Sequence, residues 1–137
     1  MHNEPADADI RLVNAPGLIA PLGHYSHVSF GAGVAYISGQ LPVTPDGKPI
    51  TDRSFGEQVT QTLSNLGRCL EAAGLGRSDL IQVRVYVTDM STWAEFDAIY
   101  SEWMGEHRPA RAVAGVNELH YNAMVEVEAT ALLRGTA

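Results

Sequence analysis

The sequence predicts an α/β domain of the α+β kind, one β-sheet with two helices packed on a single face. Three observations predict it. Short apolar runs punctuated by Gly and Pro read as strands, two segments carry a helical period, and their order along the chain is β-β-β-α-β-α-β-β. Two helices can cover only one face of such a sheet, so the other face must be polar or be buried by another subunit. At 137 residues the chain is the size of one core. We read residues 1–9 as a flexible N-terminal leader and 10–137 as a single domain.

Ile10–Val13 is the first expected strand, closed by the turn Asn14-Ala15-Pro16-Gly17. His24–Phe30 alternates, with Val28 and Phe30 opposite His27 and Ser29, as a half-buried strand does. Gly31-Ala32-Gly33 turns the chain into the hairpin partner Val34–Gln40. The next stretch, 41–49, holds three prolines and an Asp-Gly and reads as a loop. From Ser54 to Ala73 the period changes: Val59, Leu63, Leu66, Leu70 and Ala73 form one helical stripe. Ser54 and Glu57 make a capping box, and Gly74 is placed to stop the helix.

Leu80–Thr88 is a strand, with Ile81, Val83, Val85 and Val87 expected on one face. A second helix starts near Thr92, with Glu95 as its expected capping partner. It carries Phe96, Ile99, Tyr100 and Trp103 and ends near Gly105. Ala110–Val116 and Met124–Leu133 are two further strands. In the first, Ala110, Ala112, Ala114 and Val116 oppose Arg111, Val113 and Gly115. In the second, Val125, Val127 and Ala129 oppose Met124, Glu126, Glu128 and Thr130. Faces that mix apolar groups with a few charges suit a subunit interface with a site in it.

Composition narrows the function. Net charge is −7, from 9 basic and 16 acidic residues. Non-specific nucleic-acid binding rests on neutralising phosphates, so this balance argues against an RNA-binding or RNA-cleaving role. No apolar run reaches the roughly 20 residues of a membrane span. Glu4, Asp7 and Asp9 precede Ile10, unlike the positive start of a secretory signal. The single Cys69 cannot close an intrachain disulfide. Together these point to a cytoplasmic location, with no membrane or nucleic-acid partner.

Arg111 opens a strand otherwise rich in Ala and Val. A guanidinium there needs a counter-charge, and its planar fork suits a carboxylate. That carboxylate is either Glu126 or Glu128, making a structural ion pair, or belongs to a ligand. A glutamate on an apolar strand can work as a general base, its proton affinity raised by its surroundings, or can simply face solvent on an edge. His24 and His27, three apart in a strand, make a poor metal pair, and no His or Cys spacing fits zinc. Cys69 reads as core. Ser38 lacks a nucleophile-elbow setting and an evident His/Asp relay. Neither a metal nor a cofactor is expected.

Several segments together resemble the RidA/YjgF family, also called endoribonuclease L-PSP or reactive-intermediate deaminase. They are Ala20-Pro21, Tyr25-Ser26, Val34–Pro42, Glu57–Gly74, Val85–Met90, Phe96–Tyr100, Pro109-Ala110-Arg111 and Val125–Ala129. They run in the family's order over about residues 10–133. The resemblance implies a chorismate-mutase-like homotrimer with ligand sites between subunits. It also implies hydrolysis of imines and enamines of small carboxylic acids to 2-keto acids and ammonia, as in 2-iminobutanoate/2-iminopropanoate deaminases. On that likeness Arg111 grips the substrate carboxylate and Glu126 positions or activates water. Tyr25 lines the cleft, and Ser38 and Gly39 close it.

The chain departs from the pattern at three places. Val113 stands where many deaminating members have Cys, and Asp97 where an Asn often lines the cleft. Leu119-His120 replaces a common Leu-Pro. These departures leave open a pathway-specific hydrolase acting on an aminomuconate-like or natural-product intermediate. A non-catalytic regulatory trimer that binds small carboxylates also stays open.

Overall fold

The computed structural model describes residues 9–134. Nearly all of the expected leader, and residues 135–137, lie outside them. The strands are β1 (Arg11–Val13), β2 (Val28–Gly31), β3 (Val34–Gln40), β4 (Leu80–Val87), β5 (Ala110–Gly115) and β6 (Val125–Leu132). The helices are α1 (Phe55–Ala72) and α2 (Trp93–Met104). The order of elements is the one the sequence predicts. The strands form one six-stranded sheet in the order β1-β2-β3-β6-β4-β5. All neighbours are antiparallel except β4 and β5, a parallel pair that requires the α2 crossover between them. β1 and β5 are therefore the edges, and β6 lies in the middle.

Helix α1 forms where its stripe and caps predict. Ser54 accepts from the Glu57 N–H while the Glu57 carboxylate accepts from the Ser54 N–H, a pairing that contributes about 1 kcal/mol. At the other end Gly74 takes φ of 75°. Its N–H donates to Glu71 and that of Leu75 to Leu70, a Schellman stop that a side chain at 74 would strain. Val59, Leu63, Leu66, Cys69 and Leu70 are buried against Ile37, Val83, Val85, Val125 and Val127. Gln58 and Asn65, also buried, spend their amides on backbone. Gln58 donates to Arg53 and accepts from the Met124 N–H, while Asn65 donates to Leu41 and Val43, pinning the proline-rich loop.

Four local expectations are corrected. The strand expected over His24–Phe30 begins only at Val28, because His27 is committed to the preceding loop. Its Nδ1 accepts from the Ala15 N–H, and its own N–H donates to Asn14. Ile81 is exposed and Leu80 buried, because a register irregularity between Leu80 and Gln82 reverses the alternation there. Thr92 makes no side-chain cap with Glu95. A 3₁₀ turn at Met90–Thr92 precedes α2, and it is Asp89 that accepts from the Ser91 N–H. Finally, β6 is a central strand, so Glu126 and Glu128 are not edge residues facing solvent.

The sheet face away from the helices is open in the single chain. Tyr36 (55% exposed), Arg84, Tyr86, Glu126, Glu128, Thr130 and Leu132 (47% exposed) share it. No helix among the described residues is long and apolar enough to cross a membrane.

Candidate active site

Strand register divides the candidate residues between the two faces. Glu126 pairs with Tyr86, which pairs with Ala114, and this row lies on the open face. Arg111 pairs with Val83, which pairs with Ala129, and that row faces the helices. Within one chain Arg111 and Glu126 therefore point to opposite sides of the sheet. Each lies in its own candidate half-site.

The first half-site is at the edge, between β5 and α2. Arg111 is half-buried, and its Nη1 donates to Asp97 Oδ1 at 2.7 Å. Its guanidinium carbon lies 4.9 Å from the centroid of Tyr100 and 6.0 Å from that of Phe96. The counter-charge is thus neither Glu126 nor Glu128, the two intrachain partners that strand spacing suggested. Asp97, on the turn of α2 above β5, reaches the arginine because it flanks the buried stripe Phe96–Tyr100. The contact engages one nitrogen of a five-donor fork. No other hydrogen bond or ion pair of the Arg111 side chain occurs among the described residues. The group keeps donors for a carboxylate. Beside it opens a cavity of about 480 Å³, walled by Asp97, Tyr100, His107, Arg108, Pro109 and Arg111 among others. Val113, two residues along, packs against the core on the same side as Arg111.

The second half-site lies between β3, β6 and the loops before β2 and β6. Glu126 stands directly over Gly39: a methyl group at 39 would overlap Oε2 and sit 3.0 Å from Cδ. This requirement for close approach explains the glycine without any special backbone angle. Burial pushes the Glu126 carboxyl above the usual carboxylate range, neighbouring Glu128 adds to the rise, and His120 opposes it. Glu126 makes no side-chain hydrogen bond or ion pair among the described residues. Glu128, on the same face, is engaged, accepting from Tyr86 Oη at 2.6 Å with Arg84 Nη1 at 3.7 Å from its other oxygen. The two glutamates that spacing alone left equivalent are separated by these contacts. Glu128 has side-chain partners within the chain, and Glu126 has none among the described residues.

Tyr25 is 53% exposed and shares a small cleft with Gly39 and Tyr121. Its phenol is shifted upward by burial, then by Tyr121 and Glu126. The Ser38 hydroxyl donates to Ser26 O at 2.7 Å, and the Ser38 N–H donates to His27 O. Ser38 thus ties the Tyr25-Ser26 segment to β3. The turn before β6 brings in residues that sequence reading left vague. Tyr121 and Asn122 both adopt φ of 61°, a left-handed conformation uncommon for side-chain-bearing residues and often found at functional sites. Cys69 is fully buried and its thiol is pushed up to about 12 by burial, in keeping with a core role.

Comparison with known proteins agrees with this architecture. The Endoribonuclease L-PSP family model matches residues 15–133. A RutC family protein of Pyrococcus horikoshii is 36% identical over 118 residues, covering 86% of this chain and 91% of its own length. A human protein named 2-iminobutanoate/2-iminopropanoate deaminase is 30% identical over 123 residues, covering 90% and 88%. Among solved structures, that of the YjgF gene product of Escherichia coli superposes with a TM-score of 0.84. It is 30% identical over 90% of this chain and 99% of that one.

Proposed function

The chain belongs to the Endoribonuclease L-PSP (RidA/YjgF) family, and from that premise we propose that it hydrolyses reactive imines and enamines of small carboxylic acids. The products are 2-keto acids and ammonia, and the sites are completed between subunits of a homotrimer. One observation carries the reading. Arg111 and Glu126, an anion grip and a water-activating carboxylate, lie on opposite faces of one sheet, so no substrate contacts both within one chain. A second copy joins Arg111 of one subunit to Glu126, Tyr25 and Gly39 of the next, and covers the open sheet face. The human relative's name supports the reaction type.

The chemistry asks little of the protein. The C=N carbon of an imine is already electrophilic. Arg111 holds the carboxylate, and the half-site across the interface presents water. Glu126, with its raised proton affinity, accepts a proton from that water as its oxygen bonds to carbon. It returns that proton to the nitrogen, then relays the proton of the new hydroxyl to the same nitrogen as the C–N bond breaks, so ammonia leaves with both hydrogens of the water and a carbonyl remains. Tyr25 walls the cleft, Ser38 and Gly39 shape it, and Val113 offers backbone only. This route calls on no cofactor, and the net charge of −7 disfavours a phosphate backbone as substrate.

The test is to generate iminopropanoate with an amino-acid oxidase, trap it with semicarbazide and measure the trapped yield. Wild type lowers the yield, and Arg111→Ala removes the effect while the variant stays folded. If the two proteins behave alike, the deaminase reading fails. If wild type leaves the yield unchanged yet binds 2-oxobutyrate through Arg111, the chain is a binder. Sedimentation shows a trimer on this reading, and a monomer would overturn the shared site.

A further inference from the structure

The cavity beside Arg111 has a second cation that the proposed reaction of a monocarboxylic imine does not use. Arg108 lines it together with Arg111, and its side chain makes no ion pair among the described residues. Arg108 and Arg111 line this one cavity three residues apart in sequence, so their Cα atoms are separated by at most about 10 Å. The formal charge of the wall is two arginines against Asp97 alone, on a chain whose net charge is −7. A locally positive cavity on an acidic protein attracts small anions. The wall also contains Tyr100, 6% exposed, whose buried hydroxyl has no hydrogen-bond partner among the described residues. At about 480 Å³ the cavity exceeds what a three- or four-carbon acid fills.

We propose that Arg108 forms a second carboxylate subsite, so that the preferred substrate is the imine of a dicarboxylic acid. One carboxylate is held by Arg111, and the distal one, two or three carbons away, by Arg108. This rests on the hydrolase reading above and narrows it to a substrate class. The balance of the reaction is unchanged: water adds across the C=N bond, and 2-keto diacid and ammonia leave.

The experiment compares two imines and two stable keto acids. Imines are produced from glutamate and from alanine by the corresponding oxidases, and semicarbazide trapping reports kcat/KM for each. Calorimetry measures binding of 2-oxoglutarate and 2-oxobutyrate independently of turnover. Wild type prefers the dicarboxylic member of each pair by about tenfold or more, the effect of one added charge-assisted contact. Arg108→Ala erases the preference, lowering kcat/KM for the glutamate-derived imine by about tenfold more than for the alanine-derived one, and Arg108→Lys keeps part of it. Turnover of the alanine-derived imine without a dicarboxylate preference would overturn the subsite and leave the hydrolase reading intact. Absence of turnover, with a 2-oxoglutarate preference that Arg108→Ala erases, would overturn the hydrolase reading and leave the subsite. Equal binding of both keto acids by wild type, or a preference that survives Arg108→Ala, refutes the subsite.

Discussion

The two half-sites are built on opposite physical plans. At the edge, Arg111 is a charge already answered: Asp97 takes one of its nitrogens, and Tyr100 and Phe96 stack against it. At the centre, Glu126 is a charge left unanswered, half-buried, held over a glycine and without a side-chain hydrogen bond among the described residues. The difference suits the roles proposed for the two groups. A group that binds an anion must stay ionised and oriented while empty, and a competing carboxylate does both at a modest cost in affinity. A group that moves protons needs a proton affinity nearer neutrality, and partners that stabilise its charge would lower it. Glu128 makes the point within one strand. Two residues from Glu126 and on the same face, it has Tyr86 and Arg84 as partners.

The largest expected effect breaks the central half. Glu126→Gln removes the proton acceptor, and Gly39→Ala places a methyl group where Oε2 now lies, so the carboxylate must leave its position. Each lowers imine hydrolysis by about 100-fold or more, the usual weight of a general acid–base group, with circular dichroism unchanged. Glu128→Gln, the control on the same face, leaves turnover near wild type and costs roughly 0.5 kcal/mol of stability, since its partners are largely solvated. Should Glu128→Gln prove the more damaging to turnover, the assignment of the two carboxylates is reversed.

A smaller effect sharpens the edge half. Asp97→Asn preserves an acceptor for the Arg111 Nη1 but removes the competing charge. Affinity for 2-oxobutyrate rises by about three- to tenfold, read by calorimetry, as expected when one partly solvated like charge is removed from an anion site. A fall in affinity would mean that Asp97 serves chiefly to aim the guanidinium.

Much of this was legible in the residues. The order of elements, the capping box at Ser54, the stop at Gly74 and the inward set Val125, Val127 and Ala129 all follow from local chemistry and period. So do Arg111 and Glu126 as chemically unusual residues on apolar strands. What could not be read depends on the order of strands in space. Strand spacing offered Glu126 and Glu128 as partners for Arg111. The parallel pairing of β4 with β5 instead puts Arg111 under α2, where Asp97, 14 residues away in sequence, is the neighbour. The same ordering puts β6 at the centre of the sheet, which removes the edge alternative for Glu126 and Glu128. Ile81 shows a second limit, since one irregular residue in a ladder reverses every alternation before it. The resemblance already placed Asp97 at the cleft, and its contact with Arg111 had a local signal too: it adjoins Phe96 and lies one turn before Tyr100, so it borders the buried face of α2.

The smallest effect is on stability, and its sign separates the halves once more. Burial raises the Glu126 carboxyl above its ordinary value, so the folded state holds that proton more tightly than the unfolded chain does. Its contribution to stability is therefore fully present below the unfolded pKa and is lost as pH rises through the folded one. At neutral pH the ionised carboxylate is a small burden on the fold, discounted because the group remains partly in water. Glu126→Gln, which cannot ionise, should raise Tm at pH 7 by about 2 °C and lose that advantage at pH 4 and below. A functional group that costs stability while it works is what a proton-transfer role predicts. A variant that is destabilised at pH 7 would instead mark Glu126 as a stabilising contact of the sheet, and the central half-site would lose its case for catalysis.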